Sequence, residues 1–129
     1  MAAPDNLKYT KTHEWVLVDG DVITVGVTDH AQQELGDITY LELPETGDTI
    51  SAGETFGVVE SVKAASDIYS PVDGEVIDRN ATAIDTPEVI NQSPYDQAWL
   101  IKVRVSDPGQ VEALMTPAEY NEFAGDDEH

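Results

Sequence analysis

The chain has 129 residues, with 26 acidic and only six basic side chains and a formal net charge of −20 at pH 7. Nucleic acids and anionic membrane surfaces are bound by clustered Lys and Arg, so this composition argues against both as partners. The absence of cysteine excludes disulfides, thiolate nucleophiles and zinc–thiolate sites. With 40% hydrophobic residues, the chain can bury one core but hardly two.

So large an excess of like charge repels itself at low ionic strength, and salt screens that repulsion. We interpret the composition as that of a protein from a salt-rich, halophilic cytosol, and the alternative is an ordinary acidic protein. The first interpretation predicts that stability against unfolding falls when KCl is removed. An unchanged stability would favour the second.

The N-terminus has no targeting pattern. Residues 1–16 contain neither an apolar core of signal-peptide length nor an Arg-rich amphipathic presequence, and no run approaches a membrane span. We therefore expect a cytoplasmic protein. Asn80 and Asn91 match the Asn-x-Ser/Thr glycosylation pattern, which we interpret as chance without secretion.

Strand-like segments dominate the chain. Four runs rich in β-branched and aromatic residues are residues 22–27, 38–43, 56–62 and 99–105. In the last run every second side chain from Trp99 to Val105 is apolar, and the alternate set is predicted to face solvent: Leu100, Lys102 and Arg104. Short strands with frequent Gly and Pro turns predict a sandwich or a barrel.

Three short helices are expected. Asp29 is placed to cap a helix that ends at Gly36, and Asp107 to cap a second one. Thr116 and Glu119 form a capping box for a third, and the last two helices make a C-terminal tail. We expect one domain over residues 1–129, with a core over about 7–105, a helical tail over about 107–124 and a frayed C-terminus.

An internal repeat is suggested by two segments. Residues 36–50 can be laid on residues 74–90 with a small insertion, and each segment leads to a strand that begins with an aromatic residue, Phe56 or Trp99. A true repeat predicts two similar halves with Lys63 on the segment that joins them. The match is loose, and chance is the alternative.

Lys63 lies between two strand-like runs, residues 56–62 and 67–71, and three small residues follow it. The pattern predicts a hairpin with an exposed lysine at or beside its tip. Glu60 and Asp67 are expected to keep the ammonium group charged. The alternative is a solvated turn lysine in a weak ion pair, worth under about 1 kcal/mol.

The sequence around this lysine resembles a known attachment site. "ESVKA" followed by "SPVDGEV" is similar to the modified hairpin of the biotinyl/lipoyl carrier superfamily. Biotin carriers usually have methionines beside the lysine, whereas this chain has Val62 and Ala64. The lipoyl branch therefore fits better.

Other segments narrow the resemblance to the glycine cleavage H-protein family. They follow the family's order over nearly the whole chain: "KYTKTHEWV", "VGVTDHAQQELGDITYLELPETGDTI", "FGVVESVKA", "INQSPYDQAWLIKV" and "PAEYNEF". Two of their motifs, "THEWV" and "GVTDHAQQELGD", are not features of the lipoyl domains of 2-oxo acid dehydrogenases. The resemblance implies a mainly β barrel-sandwich hybrid of two pseudo-symmetric halves, with short helices.

The resemblance also implies a non-catalytic carrier with a lipoyl group joined to Lys63 by an amide. Lysine and lipoyl together span about ten bonds, which gives a reach on the order of 12–14 Å. In this family the arm takes an aminomethyl group from glycine decarboxylase (P protein) to an aminomethyltransferase (T protein). Dihydrolipoyl dehydrogenase (L protein) then reoxidises it, and a lipoyl-attaching enzyme is a further implied partner.

Six further site residues follow from matching motifs. Glu60 and Ser61 are expected to be recognised by the lipoyl-attaching enzyme, the alternative being a plain strand end. Four residues are candidates for a cleft that holds the loaded arm: His13, Glu14, Asp67 and His30. A carboxylate there would hold a cationic aminomethyl group, although both acids also fit an ordinary acidic surface.

Metal binding and catalysis by this chain are not expected. The histidines share no metal-site spacing with the carboxylates, and no nucleophile elbow or phosphate loop is present. Two alternatives stay open. One is a lipoyl carrier or lipoyl relay for another enzyme complex, and the other is an enzyme that uses paired carboxylates.

Overall fold

The computed structural model describes residues 7–125 of the chain, with side-chain surroundings up to residue 123. Nine strands occur in the described part: β1 Lys8–Tyr9, β2 Glu14–Asp19, β3 Val22–Val27, β4 Ile38–Glu42, β5 Thr49–Ile50, β6 Thr55–Ser61, β7 Ala65–Tyr69, β8 Gly74–Arg79 and β9 Ile101–Val105. Five short helices accompany them: α1 Asp29–Leu35, α2 Ala81–Asp85, α3 Val89–Gln92, α4 Pro108–Glu112 and α5 Pro117–Gly125.

The strands form two antiparallel sheets. One has six strands in the order β1-β2-β3-β9-β8-β5, and the other has three in the order β4-β6-β7. The sheets do not close into a barrel. The expectation of a mainly β fold with short helices and a C-terminal helix is confirmed.

One hydrophobic core joins the two sheets. It combines alternate residues of the larger sheet, such as Ile23, Val25 and Val103, with Val59 and Ile68 of the smaller one. Their side chains point into the core from alternate positions because successive residues of a strand face opposite sides. The six-stranded sheet is held in register by pairs such as Ile23 with Val103.

The face assignment of the last predicted strand is partly wrong. Leu100, expected to face solvent, is fully buried, and Trp99 is only half-buried. The strand begins at Ile101, so the alternation predicted over 99–105 does not extend to the two residues before it. Lys102 Nζ lies 5.2 Å from the centre of the Trp99 ring, which places that indole at the surface end of the core.

Helix α1 begins one residue earlier than expected. Its cap is Thr28, whose hydroxyl accepts a hydrogen bond from Ala31 N at 3.2 Å, whereas Asp29 lies inside the first turn. Gly36 ends the helix with φ of 80°, a conformation that glycine adopts without strain. The helix therefore ends where the sequence predicts.

The two helices of the C-terminal tail begin as predicted. Asp107 accepts a hydrogen bond from Gly109 N at the start of α4. At α5, Thr116 N donates to Glu119 Oε1 at 2.9 Å and Glu119 N donates to Thr116 Oγ1 at 3.2 Å, which is a capping box. The residues expected to fray lie partly outside the described range. No helix within residues 7–125 is long and apolar enough to cross a membrane.

The two repeat segments begin alike, each with a strand, and differ at their C-terminal ends. β4 pairs with β6 in the first and β8 pairs with β9 in the second, both antiparallel. Ile50 lies in strand β5, whereas Ile90, its expected equivalent, lies in helix α3.

Helices α2 and α3 were not predicted. They have five and four residues, which is too short for a helical period to show in the sequence.

Candidate functional site

Lys63 lies in the turn that joins β6 to β7, within residues 61–64, here called the tip. The turn is built locally: Ser61 N donates to Ala64 O at 2.7 Å. The Ser61 hydroxyl accepts hydrogen bonds from Lys63 N at 3.3 Å and from Ala64 N at 3.1 Å. Ser61 thus shapes the turn with its side chain, and the Lys63 side chain is exposed.

The aliphatic part of the Lys63 side chain lies over the backbone at Gly36, and no carboxylate of the described residues pairs with its ammonium group. A Cβ atom placed on Gly36 would be 3.6 Å from Lys63 Cε, so the missing side chain leaves the stem a flat surface. Glu60 and Asp67 are exposed. Among the described residues no carboxylate lies within salt-bridge distance of Lys63 Nζ. The ammonium group is therefore open to a partner, and the weak ion pair considered above is absent.

Glu14 lies at the other end of β7, buried with 2% of its surface exposed. Its carboxylate accepts hydrogen bonds from Thr10 Oγ1 at 2.6 Å, from Thr12 Oγ1, and from Tyr69 N at 3.4 Å. Burial raises the pKa of Glu14, and the two threonine hydroxyls and the amide act against that rise. A buried carboxylate persists here because donors surround it.

A groove of about 360 Å³ opens beside this carboxylate. Its walls combine the loop between β1 and β2 with the end of β7: Thr10, Lys11, Thr12, Glu14, Gly53, Tyr69, Ser70, Pro71 and Leu114. The groove has one acid, Glu14, and one base, Lys11, at its wall, with threonines and apolar or small groups around them. A carboxylate at such a wall can pair with a small cation.

Strand β7 connects the tip to the groove. Its five residues span about 13 Å at roughly 3.3 Å per residue. Asp67 and Tyr69 share one face of the strand because they are two residues apart, and Asp67 is exposed midway along it. Asp67 therefore lies on the path between Lys63 and Glu14 and outside the groove wall.

The two predicted histidines contact each other outside the groove wall. The rings of His13 and His30 stack with centroids 4.3 Å apart. His13 has a positive φ of 69°, and its Nδ1 lies 2.8 Å from the Tyr120 hydroxyl, which donates to Thr28 Oγ1 at 2.9 Å. Through His13, these contacts join the β1–β2 loop to α1 and α5, and neither histidine lines the groove wall.

The sequence reasoning missed the donors around Glu14. Thr10 and Thr12 come four and two residues before it, in "TKTHE", and hydroxyls so close in sequence are obvious candidates to bond a carboxylate. The backbone donor of Tyr69 carries no sequence signal because it comes from a strand 55 residues away. No group of three or more His, Asp or Glu side chains within residues 7–125 is arranged to hold a metal ion.

The architecture defines a class of protein. Two β-sheets present one lysine at an exposed hairpin tip, and a groove with a buried carboxylate at its wall lies one strand away. These are the features of a carrier domain that bears its working group on a lysine. The residues present fit a lipoyl group, since the amine is accessible and flat backbone lies beneath its stem.

Comparison with known proteins identifies the family. The family model described as "Glycine cleavage H-protein" matches residues 7–127. Glycine cleavage system H proteins from Staphylococcus saprophyticus and Staphylococcus haemolyticus are 52% and 50% identical over 126 residues, which is 98% of this chain and all of each relative. A crystal structure of a glycine cleavage system H protein from Mycobacterium marinum has a TM-score of 0.86 at 37% identity, covering 98% of this chain and 100% of that one.

The chain belongs to the glycine cleavage H-protein family, the lipoyl carriers of the glycine cleavage system. The resemblance of the hairpin and flanking motifs to this family is confirmed.

Proposed function

We propose that this chain carries a lipoyl group in amide linkage on Lys63 and acts in the cytoplasm as a single-domain, non-catalytic carrier. The observation that carries the proposal is the placement of Lys63. In a chain of this family, it is an exposed amine at the tip of a hairpin, and no carboxylate in the described part of the chain pairs with it. Such an amine is accessible to several enzymes in turn.

Attachment requires Lys63 Nζ to lose a proton and attack an activated lipoyl carboxyl carbon. With a lipoyl adenylate as donor, the N–C bond forms, the C–O bond to AMP breaks, AMP leaves and protons pass to solvent. The lysine's positive charge disappears in the amide. Glu60 and Ser61 mark the site for the attaching enzyme: Glu60 presents an exposed carboxylate, and Ser61 fixes the turn.

When bound, a lipoyl group supplies a reducible dithiolane whose sulfur can carry a one-carbon amine. The reach of about 12–14 Å matches the length of β7, about 13 Å, so the groove lies within range of Lys63. The Glu14 carboxylate in the groove pairs with the cationic amine and shields it from water. Asp67 offers a second carboxylate along the strand, and the contacts of His13 with His30 and Tyr120 hold the β1–β2 loop beside Glu14.

The partners of this carrier are the P, T and L proteins and the lipoyl-attaching enzyme. Their catalytic groups and cofactors belong to them, and this chain supplies the tether. Tethering raises the local concentration of the transferred group at each partner's active site. Family membership and the whole-length similarity to named H proteins support this assignment.

The proposal is tested by comparing Lys63→Arg with Lys102→Arg, a change on β9 outside the tip and the groove wall. Each variant is incubated with a lipoyl-attaching enzyme, lipoate and ATP, and intact mass is followed, then exchange of CO2 with glycine in the presence of P protein. We expect the parent and Lys102→Arg to gain one lipoyl group and support exchange, and Lys63→Arg to do neither. A lipoyl group on Lys63→Arg, or none on the parent, would overturn the proposal.

A further inference from the structure

The tip that presents Lys63 rests on a second segment of the chain. Val62 N donates a hydrogen bond to Asp37 O at 3.1 Å, and the Lys63 stem lies over Gly36. Residues 36–38, here called the platform, join helix α1 to strand β4. The direction of the tip therefore depends on how the platform is held.

One side chain holds the platform from both sides. Asn91, on helix α3, donates through Nδ2 to Gly36 O at 2.8 Å and accepts at Oδ1 from Ile38 N at 2.9 Å. Its second Nδ2 hydrogen goes to Gln32 Oε1 at 2.9 Å. The two platform bonds lie immediately before and after Asp37, and so they fix the carbonyl that receives Val62 N.

The chemistry of these bonds requires an amide. The position needs an acceptor for Ile38 N and two donors for Gly36 O and Gln32 Oε1, and a short amide supplies all three. A carboxylate of the same shape would turn an oxygen toward the Gly36 carbonyl oxygen. An alanine would leave the platform's amide and carbonyl without this partner.

We propose that Asn91 is a positioning residue for the modification of Lys63, acting through the platform. It is neither attached to the lipoyl group nor in contact with the acyl donor. It sets the position and direction of Lys63 Nζ relative to that donor. This inference rests on the proposed function, because it concerns the same lysine.

Asn80 is a matched control. It is also an asparagine that ties loops together, donating through Nδ2 to Gln97 O at 2.9 Å and Trp99 O at 2.6 Å and capping α2 through Oδ1. It is buried, and its bonds do not involve the platform. A loss caused by general weakening of the fold would appear in Asn80→Ala as well as in Asn91→Ala.

The experiment measures steady-state lipoylation of the full chain, with lipoyl adenylate as the donor and the folded state verified by urea unfolding. For Asn91→Ala we expect kcat to fall at least tenfold while KM changes less than twofold, since the enzyme still docks on the exposed hairpin. Asn80→Ala is expected to stay within twofold of the parent in both constants. Gln32→Ala, which leaves both platform bonds, is expected to resemble the parent.

Two further measurements test the role of Asn91 independently of the alanine variant. Asn91→Asp keeps the bond to Ile38 and fills the same volume, so it tests the inference if the alanine variant fails to fold, and its kcat is expected to fall. Hydrogen exchange at Val62 N is expected to accelerate in both Asn91 variants and to stay unchanged in Asn80→Ala.

Asn91 variants with parental kcat, or an Asn80→Ala variant slowed equally, would overturn the inference and leave the proposed function intact. A parent chain that takes no lipoyl group overturns the proposed function and the inference together.

Discussion

The tip around Lys63 and the corner around Glu14 lie at opposite ends of β7 and are built in opposite ways. The tip is exposed, and most of its hydrogen bonds join residues within 61–64. The corner comprises residues 10–14 and the Tyr120 side chain, and Glu14 and Tyr120 expose only 2% and 3% of their surface. Under the proposed function, the tip is an attachment point that several enzymes must reach, whereas the corner borders a resting place that must limit contact with water.

The two regions also differ in how far apart in the sequence their hydrogen-bonded residues lie. The hydroxyl of Tyr120 contacts residues 92 and 107 positions earlier, at Thr28 and His13. The corner therefore forms only once helix α5 has docked on the β1–β2 loop. Changes at the tip are expected to affect modification with little effect on stability, and changes at the corner are expected to affect stability first.

The largest expected effect is the loss of stability in Tyr120→Ala. The ring stacks on Tyr9 with centroids 4.5 Å apart and is buried, so its removal leaves a cavity and releases α5. We expect a loss of about 3–5 kcal/mol in the free energy of unfolding, measured by urea denaturation. Lipoylation of Lys63 in the remaining folded protein is expected to keep its parental rate. A loss below about 1 kcal/mol would show that the corner does not depend on α5.

The next effect concerns the lifetime of the loaded carrier. In Glu14→Gln the groove loses the charge that pairs with a cationic amine, and we expect the loaded form to decay about tenfold faster, equivalent to about 1.4 kcal/mol. Decay is followed by intact mass after loading by P protein and its removal. Glu45→Gln, which removes an exposed acid outside the groove wall, is the control. Equal lifetimes in Glu14→Gln and the parent would remove Glu14 from the resting site.

A smaller effect is the pH dependence of stability at the corner. The pKa of Glu14 is raised in the folded chain by burial, so the native state favours the protonated acid. Its contribution to stability is fully present below the unfolded pKa and is lost as pH rises through the raised folded value. The parent is therefore expected to lose stability relative to Glu14→Gln from about pH 4 upward, measured by urea unfolding. A difference that is constant with pH would contradict the raised pKa.

The smallest effect is expected at the tip. Val62 is 71% exposed, so Val62→Ala removes almost no buried surface. We expect the free energy of unfolding to change by less than about 0.5 kcal/mol, as for most surface substitutions. Val59→Ala, three residues earlier in β6 and buried in the core, provides the buried counterpart. If Val62→Ala destabilised the fold as much as Val59→Ala, the tip would be part of the core after all.

Local sequence signals predicted the elements whose bonds are local. The β6–β7 hairpin, the Gly36 helix end and the Thr116–Glu119 capping box each join residues that are close in sequence. The donors from Thr10 and Thr12 to Glu14 belong to the same group, and they were missed although the sequence displays them.

What the sequence by itself determined is the mainly β character, the hairpin lysine and, through its motifs, the family. Tertiary structure alone decided that Leu100 is buried, that Asn91 holds residues 36–38, and that Glu14 faces Tyr69 N while His13 faces Tyr120. These contacts join segments that are tens of residues apart. Their partners are chosen by the packing of two sheets and a helix, and no periodicity or turn signal along the chain encodes that choice.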